Sequence, residues 1–422
     1  MLTVSIIAAT FSGNKGAEAM LTTTIRRIQD KHEQVEFKVF SYYPIDDKKL
    51  VSSPNIEIIN STPLHLIAII FPFSLLGKAL KLIGLKKFVN LLPLPVRSLA
   101  KSSVLIDLAG VSFIDGREIF LPFNILTLLP AQILDIPVVK FSQAMGPFQS
   151  TINRLVAKFS LNRCNAIFTR GATTANYLAE LKLTHPKVMR ADDVAFLYEF
   201  NDTIAALNKQ KIDKTLKTLN LTKDVRAIIG ICPSSVIAAK AIKEEWDYIG
   251  YLVDLIQKLI RNGHFVILFP NATREENCDK LRNNDIPIIR QVTKIVSEDP
   301  HLQTNLLQVD HDVDTSGIKQ IIKACDIVAV SRFHAMIGAL SLKIPTVVLG
   351  WSHKYLEVMT EFDQEDMVID YKEVSLPNTV TKINQLLTER TERNVQIGDN
   401  LKDAQKRSYI QFKHINDLLS SQ

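Results

Sequence analysis

The stretch DIVAVSRFHAMIGALSLKIPTVVLGWSHK, residues 326–354, decides how the second half of the chain is interpreted. Its first apolar run, Ile327–Val330, is short and rich in β-branched residues, which predicts a buried parallel strand. Ser331 follows at the position of a helix N-cap, so Arg332 and His334 are expected in the first helical turn. A second apolar run then precedes a polar tip. The stretch therefore predicts a β-strand, an α-helix and a further parallel β-strand.

Basic and polar side chains follow both predicted strands of this unit. Arg332 and His334 come after the first strand, and Ser352, His353 and Lys354 come after the second. In a parallel sheet, ligands bind beyond the carboxyl ends of the strands, and the unpaired amides of a helix N-terminus favour anions. The pattern therefore predicts an anion site. The alternative is that Arg332 pairs with a carboxylate and that His334 is a structural histidine.

The size and charge of the chain exclude several classes of protein. Its 422 residues suggest two or three domains, and 50 basic against 44 acidic residues leave a net charge of only +6. This mild excess argues against nucleic-acid binding and suits a small anionic substrate or a membrane surface. No spacing typical of a disulfide framework or a zinc site occurs among the cysteines, Cys164, Cys232, Cys278 and Cys325. With no signal-peptide pattern at the N-terminus, we expect a cytoplasmic protein.

Strands and helices alternate along the chain, which predicts an α/β protein with parallel sheets. A polar, lysine-rich segment interrupts this alternation near the middle and indicates a linker. We therefore expect two Rossmann-like domains that face a cleft, the layout of GT-B glycosyltransferases. The predicted boundaries are 1–200 for the N-terminal domain, 201–225 for the linker, 226–390 for the C-terminal domain and 391–422 for a C-terminal helix.

The first predicted domain carries candidate residues at the ends of its strands. Gly13 and Gly16 bound a turn between a strand and a helix, which would let backbone amides approach a ligand closely. Glu18 lies in the first turn of that helix, Asp115 in a glycine-bounded loop, and Arg170 at the end of a later strand. Each has a structural alternative. Gly13 and Gly16 would form a plain turn, Asp115 would stabilise a turn, Glu18 would interact with the helix dipole, and Arg170 would form an ion pair between domains.

Residues 64–101 form a basic amphipathic insert in the first domain. It opens with an apolar run, Leu64–Leu76, that is too short to span a membrane and contains Pro72. Further on, leucine, isoleucine and phenylalanine side chains alternate with lysines, Lys78, Lys81, Lys86 and Lys87. Such a segment suits peripheral contact with a membrane. The alternative is a pair of helices packed on the first domain with solvated lysines.

A spaced series of motifs resembles the polysaccharide pyruvyl transferase family over most of the chain. The strongest match is Ser331–Ala335 together with Ser352–Lys354, which are similar to a pair of motifs in the second domain of that family. The other matches are the glycine turn and helix start at Gly13–Ala19, the run SQAMGPF at Ser142–Phe148, Arg170, and DVAF at Asp193–Phe196. The chain departs from the family at Ala17, where many members have aspartate, and in a thinner glycine stretch, Ala109–Val111.

The resemblance implies a GT-B-like enzyme that takes pyruvate from phosphoenolpyruvate. The pyruvate would be attached as a ketal to a sugar of a cell-surface or exopolysaccharide glycan, or of its lipid-linked precursor. Phosphoenolpyruvate is then the donor substrate, and neither a cofactor nor a metal is expected. Its phosphate and carboxylate suit Arg332, Lys354 and the helix starts at Ser331 and Ser352. His334 is the expected general acid or base, because imidazole titrates near neutral pH.

The same resemblance implies roles in the first domain. Arg170 would clamp the donor and approach it from that domain. Asp115 and Glu18 would activate or orient acceptor hydroxyls, beside the backbone of Gly13 and Gly16. The nearest alternative function is a nucleotide-sugar glycosyltransferase of the same fold, and another is a non-catalytic glycan-assembly protein. We expect an enzyme at or near the inner face of the membrane, with no nucleic-acid partner.

Overall fold

Two parallel sheets organise the chain in the computed structural model. The described residues are 2–200, 213–215, 217, 225–274 and 283–421. Most of the linker predicted at 201–225 lies outside these residues.

The contacts divide the chain into two compact units, called unit 1 and unit 2 below. Unit 1 comprises Met1–Phe11, Ala17–Ala205 and Ala404–Gln422. Unit 2 comprises Ser12–Gly16 and Ala206–Asp403. The glycine turn after the first strand is therefore counted with unit 2, although the chain on both sides of it belongs to unit 1.

The sheet of unit 1 has seven strands, and all of its strand pairs are parallel. The strands are β1 (Leu2–Ile7), β2 (Val35–Ser41), β3 (Ile56–Asn60), β4 (Val104–Asp107), β5 (Val138–Gln143), β6 (Ala166–Arg170) and β7 (Lys187–Ala191). Their order is β3-β2-β1-β4-β5-β6-β7, so the winding direction reverses between β1 and β4. Every residue of β4, β5 and β6 is buried, as expected for strands covered on both faces.

Helices connect these strands, because a parallel pair needs a crossover connection. They are α1 (Lys15–Gln29), α2 (Pro44–Leu50), α3 (Pro63–Leu82), α4 (Leu94–Ala100), α5 (Leu121–Leu126), α6 (Leu129–Ile133), α7 (Thr151–Leu161) and α8 (Gly171–Glu180). Short 3₁₀ turns lie at Lys86–Leu91, Glu118–Phe120 and Val194–Leu197. One hydrophobic cluster joins helices to the sheet and includes Phe40, Leu66, Ile70, Leu134 and Ile167.

Helix α3 is longer than the apolar run that predicted it. The sequence predicted an apolar run, Leu64–Leu76, too short to span a membrane, whereas α3 begins at Pro63 and continues to Leu82. Pro72 follows a π-helical stretch, Leu66–Ile70, in which the bonding pattern is already shifted. Among the described residues, α3 is the one helix long and apolar enough to cross a membrane by length and composition. Only 22% of its most apolar 18-residue window is buried.

The sheet of unit 2 repeats the topology of unit 1. Its six strands are β8 (Ile228–Cys232), β9 (Phe265–Leu268), β10 (Leu306–Gln308), β11 (Ile327–Val330), β12 (Thr346–Gly350) and β13 (Val368–Asp370). All pairs are parallel and the order is β10-β9-β8-β11-β12-β13. The winding therefore reverses between β8 and β11, which is the switch point where doubly wound sheets bind ligands.

The helices of unit 2 follow the same alternation. They are α9 (Ser235–Lys243), α10 (Tyr248–Arg261), α11 (Ile286–Val296), α12 (Pro300–Gln303), α13 (Thr315–Lys323), α14 (Phe333–Ser341), α15 (His353–Glu361) and α16 (Leu376–Ser420). A 3₁₀ turn lies at Glu365–Met367. The predicted C-terminal helix at 391–422 falls inside α16, whose residues from Ala404 onward are counted with unit 1.

The β-strand, α-helix, β-strand unit predicted from residues 326–354 is confirmed as β11, α14 and β12, with one shift at the helix start. Ser331 is not the N-cap, because its N–H donates to the carbonyl of Cys232 at 2.9 Å and so continues the ladder between β11 and β8. Arg332 takes the N-cap position in an extended conformation, and the helix begins at Phe333. His334 remains in the first turn, as predicted.

A buried carboxylate, Asp285, ties three loops together at this edge of the sheet. Its side chain is 0% exposed and accepts the backbone N–H groups of Asn271 at 3.1 Å, Ala272 at 2.8 Å and Ser235 at 2.9 Å. The guanidinium of Arg332 donates to both carboxylate oxygens, from Nε at 3.0 and 3.1 Å and from Nη2 at 2.5 Å. One carboxylate therefore holds the loop after β9, the start of α9 and the start of α14.

Arg332 keeps its charge in this environment. Burial by itself would lower the pKa of Arg332, but the carboxylate of Asp285 outweighs burial, so the pKa of the guanidinium is raised. Nη2 of Arg332 also donates to Oγ of Ser235 at 2.7 Å. Removing one partner of such a pair leaves an uncompensated buried charge, which costs far more than loss of an exposed pair.

We expect Asp285→Asn to lower the free energy of unfolding of unit 2 by about 3 kcal/mol, because Arg332 loses its counter-charge. The measurement is urea denaturation followed by tryptophan fluorescence. Both tryptophans of the chain, Trp246 and Trp351, lie in unit 2, so the signal reports on that unit.

Asp366→Asn is the matched control. Asp366 also pairs with an arginine of unit 2, Arg393 at 2.6 Å, but its side chain is 46% exposed. The control should lose less than about 1 kcal/mol. Equal losses in the two variants would contradict a central role for Asp285.

Candidate functional site

Three neighbouring strands of unit 2 present helix starts at one edge of the sheet. In the order β8-β11-β12, each strand is followed directly by a helix, namely α9, α14 and α15. Because the strands are parallel, the first turns of these helices share the edge beyond the carboxyl ends. Ser235, Arg332, His334, Ser352 and Lys354 lie in or beside these turns. We call this group the edge site.

Arg332 is held in place at the edge site by an ion pair and a hydrogen bond. It pairs with a carboxylate, as the structural alternative in the sequence allowed, and that carboxylate belongs to Asp285. The bonds to Asp285 and Ser235 use Nε and Nη2, and among the described residues none uses Nη1. The ion pair therefore orients the guanidinium through two of its three nitrogens.

His334 packs directly on the backbone of Gly16. A Cβ atom added to Gly16 would lie 2.1 Å from both Cγ and Nδ1 of the imidazole ring, a distance that no real Cβ contact reaches. The amide of Gly16 donates to Oδ1 of Asn14 at 3.0 Å, which closes the turn beneath the ring. Glycine is therefore required at position 16 because the ring of His334 occupies the space of a side chain.

Backbone hydrogen bonds hold this glycine turn against the loop that follows β9. The amide of Lys15 donates to the carbonyl of Asn271 at 3.2 Å, and the amide of Thr273 donates to the carbonyl of Gly13 at 2.9 Å. Asp285 binds the same loop through the amide of Asn271. The turn predicted at the first strand of the N-terminal domain thus contributes to the surroundings of His334 within unit 2.

Lys354 is held over aromatic rings. Its Nζ lies 4.7 Å from the ring centroid of Phe333, 4.9 Å from that of Trp351 and 5.6 Å from that of Tyr355. The ring of Phe333 also contacts the imidazole of His334 edge to face, with centroids 5.3 Å apart. The structure therefore brings the ammonium of Lys354 and the imidazole of His334 to the same phenylalanine.

The two predicted serines differ in their surroundings. Ser331 is buried, and its Oγ accepts a hydrogen bond from the hydroxyl of Tyr248 at 3.4 Å. Its carbonyl accepts another from the hydroxyl of Tyr355 at 3.2 Å. Burial raises the pKa of both tyrosines, so they stay protonated donors. Ser352 is half-buried and occupies the N-cap position of α15, so it stands beside the first turn of that helix.

Asp115, a predicted catalytic residue, lies in unit 1 and binds the chain ahead of α7. One carboxylate oxygen accepts the amides of Gln149 at 2.7 Å and Ser150 at 3.2 Å, and the other accepts Nδ2 of Asn153 at 2.7 Å. These bonds match the turn-forming alternative that the sequence left open for Asp115.

Arg170 and Glu18 are buried in unit 1. Nη1 of Arg170 pairs with Asp193 at 2.9 Å, and Nη2 donates to the carbonyl of Gly110 at 2.8 Å. The sequence alternative was an ion pair between domains, whereas this pair lies within unit 1. Glu18 is in the first turn of α1, as predicted. Gly13, Gly16 and the five members of the second-half motifs belong to unit 2.

Gln143, from the run SQAMGPF, organises the switch point of unit 1. Its Nε2 donates to the carbonyl of Asp107 at 2.8 Å, and its Oε1 accepts the hydroxyl of Ser112 at 2.9 Å. The carboxylate of Asp107 forms a buried ion pair with Lys140. The sequence did not predict this ion pair, because a lysine within an apolar strand does not indicate which residue pairs with it in the folded sheet.

The residue that sequence reasoning missed at the edge site is Asp285. It precedes Ile286 and a proline at the start of α11, a pattern that indicates an N-cap, yet its side chain makes no cap bond. The local pattern therefore points to a different role from the one observed. Among the described residues, no group of three or more histidine, cysteine, aspartate or glutamate side chains could hold a metal.

We expect Gly16→Ala to displace the imidazole of His334, because the new methyl group and the ring cannot share one space. The measurement is the ¹³C and ¹H chemical shifts of the His334 imidazole in selectively labelled protein. Gly338→Ala, in the same helix as His334, is the control, because a Cβ there would make an ordinary contact of 3.4 Å with Ile322. Unchanged His334 signals in Gly16→Ala would contradict the described contact.

Solved structures with similar folds bind nucleotide sugars. UDP-GlcNAc 2-epimerase from Neisseria meningitidis, bound to UDP-GlcNAc, is 13% identical over 100% of both chains, with a TM-score of 0.59. UGT71G1 from Medicago truncatula, complexed with UDP-glucose, is 10% identical over 99% of this chain and 98% of its own, with a TM-score of 0.57. At such identities the likeness shows the fold alone. It confirms the predicted α/β fold of two Rossmann-like units, similar to GT-B enzymes.

Sequence comparison defines the family. The amylovoran biosynthesis protein AmsJ of Erwinia amylovora is 20% identical over 304 residues, which cover 71% of this chain and 69% of AmsJ. A family model described as polysaccharide pyruvyl transferase matches residues 14–353. The match runs from the glycine turn to the helix start that follows β12, and so includes nearly all of the edge site. The chain therefore belongs to the polysaccharide pyruvyl transferase family.

Proposed function

We propose that the protein transfers pyruvate from phosphoenolpyruvate to two hydroxyls of a sugar, forming a ketal. The sugar would belong to an exopolysaccharide or cell-surface glycan, or to its lipid-linked precursor. Family membership supports pyruvyl transfer, and the likeness to AmsJ, an amylovoran biosynthesis protein, supports a role in exopolysaccharide biosynthesis. The observation that carries the proposal is the edge site, where Arg332, oriented by Asp285, stands at the N-cap of α14 and His334 lies in the first turn of the same helix.

Phosphoenolpyruvate needs two cationic contacts, because it carries a phosphate and a carboxylate. Arg332 suits one of them through its Nη1, since Asp285 and Ser235 already fix the other side of the guanidinium. Lys354 suits the second, since three aromatic rings hold its ammonium in place. The first amides of α14 and α15 add partial positive charge at the same edge. Unit 2 is therefore the proposed donor side.

His334 is the proposed general acid and base. It would protonate the methylene carbon of phosphoenolpyruvate, which creates a methyl group and an oxocarbenium-like carbon. The first sugar hydroxyl then bonds to that carbon and gives up its proton. Phosphate leaves, the second hydroxyl bonds to the same carbon, and its proton leaves as well. One of the two hydroxyl protons replaces the proton that His334 gave to the new methyl group, and the other leaves with phosphate. Gly16 holds the imidazole in place for these transfers.

Unit 1 is the proposed acceptor side. Asp115 and Arg170 use their side chains on the loops of unit 1, so we assign them positioning roles instead of direct contact with the donor. Glu18 is proposed to orient acceptor hydroxyls. A cytoplasmic location fits this scheme, because phosphoenolpyruvate is a metabolite of the cytoplasm.

We expect phosphoenolpyruvate to raise the melting temperature of the purified protein, because a ligand that binds only the folded state stabilises it by mass action. At about 100 times the dissociation constant the gain is about 2.7 kcal/mol. Lys354→Met should remove most of the shift, whereas the exposed lysine variant Lys372→Met should retain it. UDP-glucose and UDP-GlcNAc are tested alongside. Stabilisation by either nucleotide sugar and not by phosphoenolpyruvate would favour a glycosyltransferase and contradict the proposal.

We expect His334→Ala to lower the rate of phosphate release from phosphoenolpyruvate and acceptor by about 100-fold or more, the usual effect of a general acid or base. The shift in melting temperature with phosphoenolpyruvate should persist, which separates chemistry from binding. His301→Ala removes an exposed histidine of the same unit and should react at the wild-type rate. A near wild-type rate in His334→Ala would show that another group moves the proton.

A further inference from the structure

The segment between α3 and α4 exposes apolar and basic side chains side by side. All residues from 82 to 88, LIGLKKF, are exposed, and so is Leu91. Leu82 and Leu91 have 74% and 79% of their surface exposed, more than a leucine of a folded core retains. We call residues 82–91 the tip. Contiguous exposed apolar side chains on a folded protein mark a surface that another body covers.

Helix α3 extends this surface while remaining part of the folded unit 1. One face, formed by Leu66, Ile70, Ser74 and Gly77, is buried. A Cβ atom added to Gly77 would lie 3.1 Å from Leu134 and from Leu92, so the helix packs tightly there. The remaining faces carry exposed apolar side chains, Leu64, Ile67, Leu75 and Leu76. Because one face is committed to the protein core, α3 lies along the surface of unit 1 and does not cross a bilayer as a free span.

The segment that forms this surface carries charge of one sign. From Ile58 to Ile106 the sequence contains no aspartate or glutamate and six lysines and arginines. Lys78 pairs with Asp135 at 2.6 Å, and Lys81 donates to a backbone carbonyl. Lys86 and Lys87 are exposed at the tip, and within the described part of the chain they form no ion pair or hydrogen bond. The tip therefore carries two lysines that can meet an anion.

We propose that α3 and the tip dock this protein on an anionic lipid bilayer. Leucine, isoleucine and phenylalanine side chains of the tip enter the acyl boundary, and Lys86 and Lys87 contact the lipid phosphates. This alternation of apolar and basic side chains is typical of interfacial segments, whose binding combines buried apolar area with attraction to anionic lipids. A second copy docked through the tip would set Lys86 and Lys87 of one chain against those of the other, and the tip itself has no carboxylate to pair with them. A bilayer of anionic lipids is therefore the complementary partner.

The experiment is flotation of the purified full chain with vesicles of phosphatidylglycerol and phosphatidylcholine, compared with phosphatidylcholine alone. Wild type should float with the anionic vesicles, and added salt should weaken the binding. Lys86→Gln with Lys87→Gln should lower the partition coefficient roughly 30-fold, from the loss of two surface lysines. The matched control is the exposed pair Lys48 and Lys49, changed in the same way, which should bind like wild type.

The apolar contribution is tested separately with Leu82→Ser and Leu91→Ser in one chain. Binding should fall at least about tenfold, because two side chains no longer enter the acyl boundary. Its control carries Ile45→Ser and Ile242→Ser, two isoleucines that are 72% and 71% exposed elsewhere, and should bind like wild type. Circular dichroism and the melting temperature verify that each variant is folded.

Three results would overturn the proposal. One is a wild-type chain that does not float with anionic vesicles. Another is binding that neither tip variant weakens. The third is a lipid-free dimer in sedimentation velocity that Leu82→Ser with Leu91→Ser dissociates, because the surface would then belong to a second copy.

Discussion

The buried ion pair between Asp285 and Arg332 is the interaction on which the edge of the unit 2 sheet depends. A carboxylate with no solvent contact needs several donors, and Asp285 finds them in three backbone amides and one guanidinium. The four donors come from three connections of the sheet: the loop after β9, the start of α9 and the start of α14. The ion pair therefore fixes the positions of these loops, because breaking it would leave a buried charge unpaired at a high free-energy cost.

The loops that Asp285 binds also help to position the ring of His334. Because Asp285 also binds the loop that holds the glycine turn, the backbone of Gly16 reaches the ring of His334 through hydrogen-bonded loops and not through a flexible connection. The imidazole contacts that turn and also the ring of Phe333. The proton transfers proposed for His334 would gain from these contacts, since their rate depends on the geometry of approach.

Unit 1 differs from the edge site of unit 2 in how it uses its polar and apolar side chains. Asp115, Arg170 and Gln143 use their polar side chains to bind loops at the ends of the strands. Several apolar side chains of α3 and the tip are exposed. Unit 1 therefore combines buried charged groups with an exposed apolar surface, and this surface is the one proposed to contact a bilayer.

Short-range patterns in the sequence determined the elements, and tertiary contacts decided how their side chains are used. The apolar runs of residues 326–354 and their polar tips identified β11, α14 and β12, because burial and capping act over a few residues. The N-cap moved from Ser331 to Arg332, because the N–H of Ser331 donates to the carbonyl of Cys232 and so continues the hydrogen bonding between β11 and β8 past the end of the strand. Asp285 lies 47 positions from Arg332, and the hydroxyl of Thr315 reaches the carbonyl of Lys15 across 300 positions. Such contacts leave no local periodicity, so only the folded chain could show them.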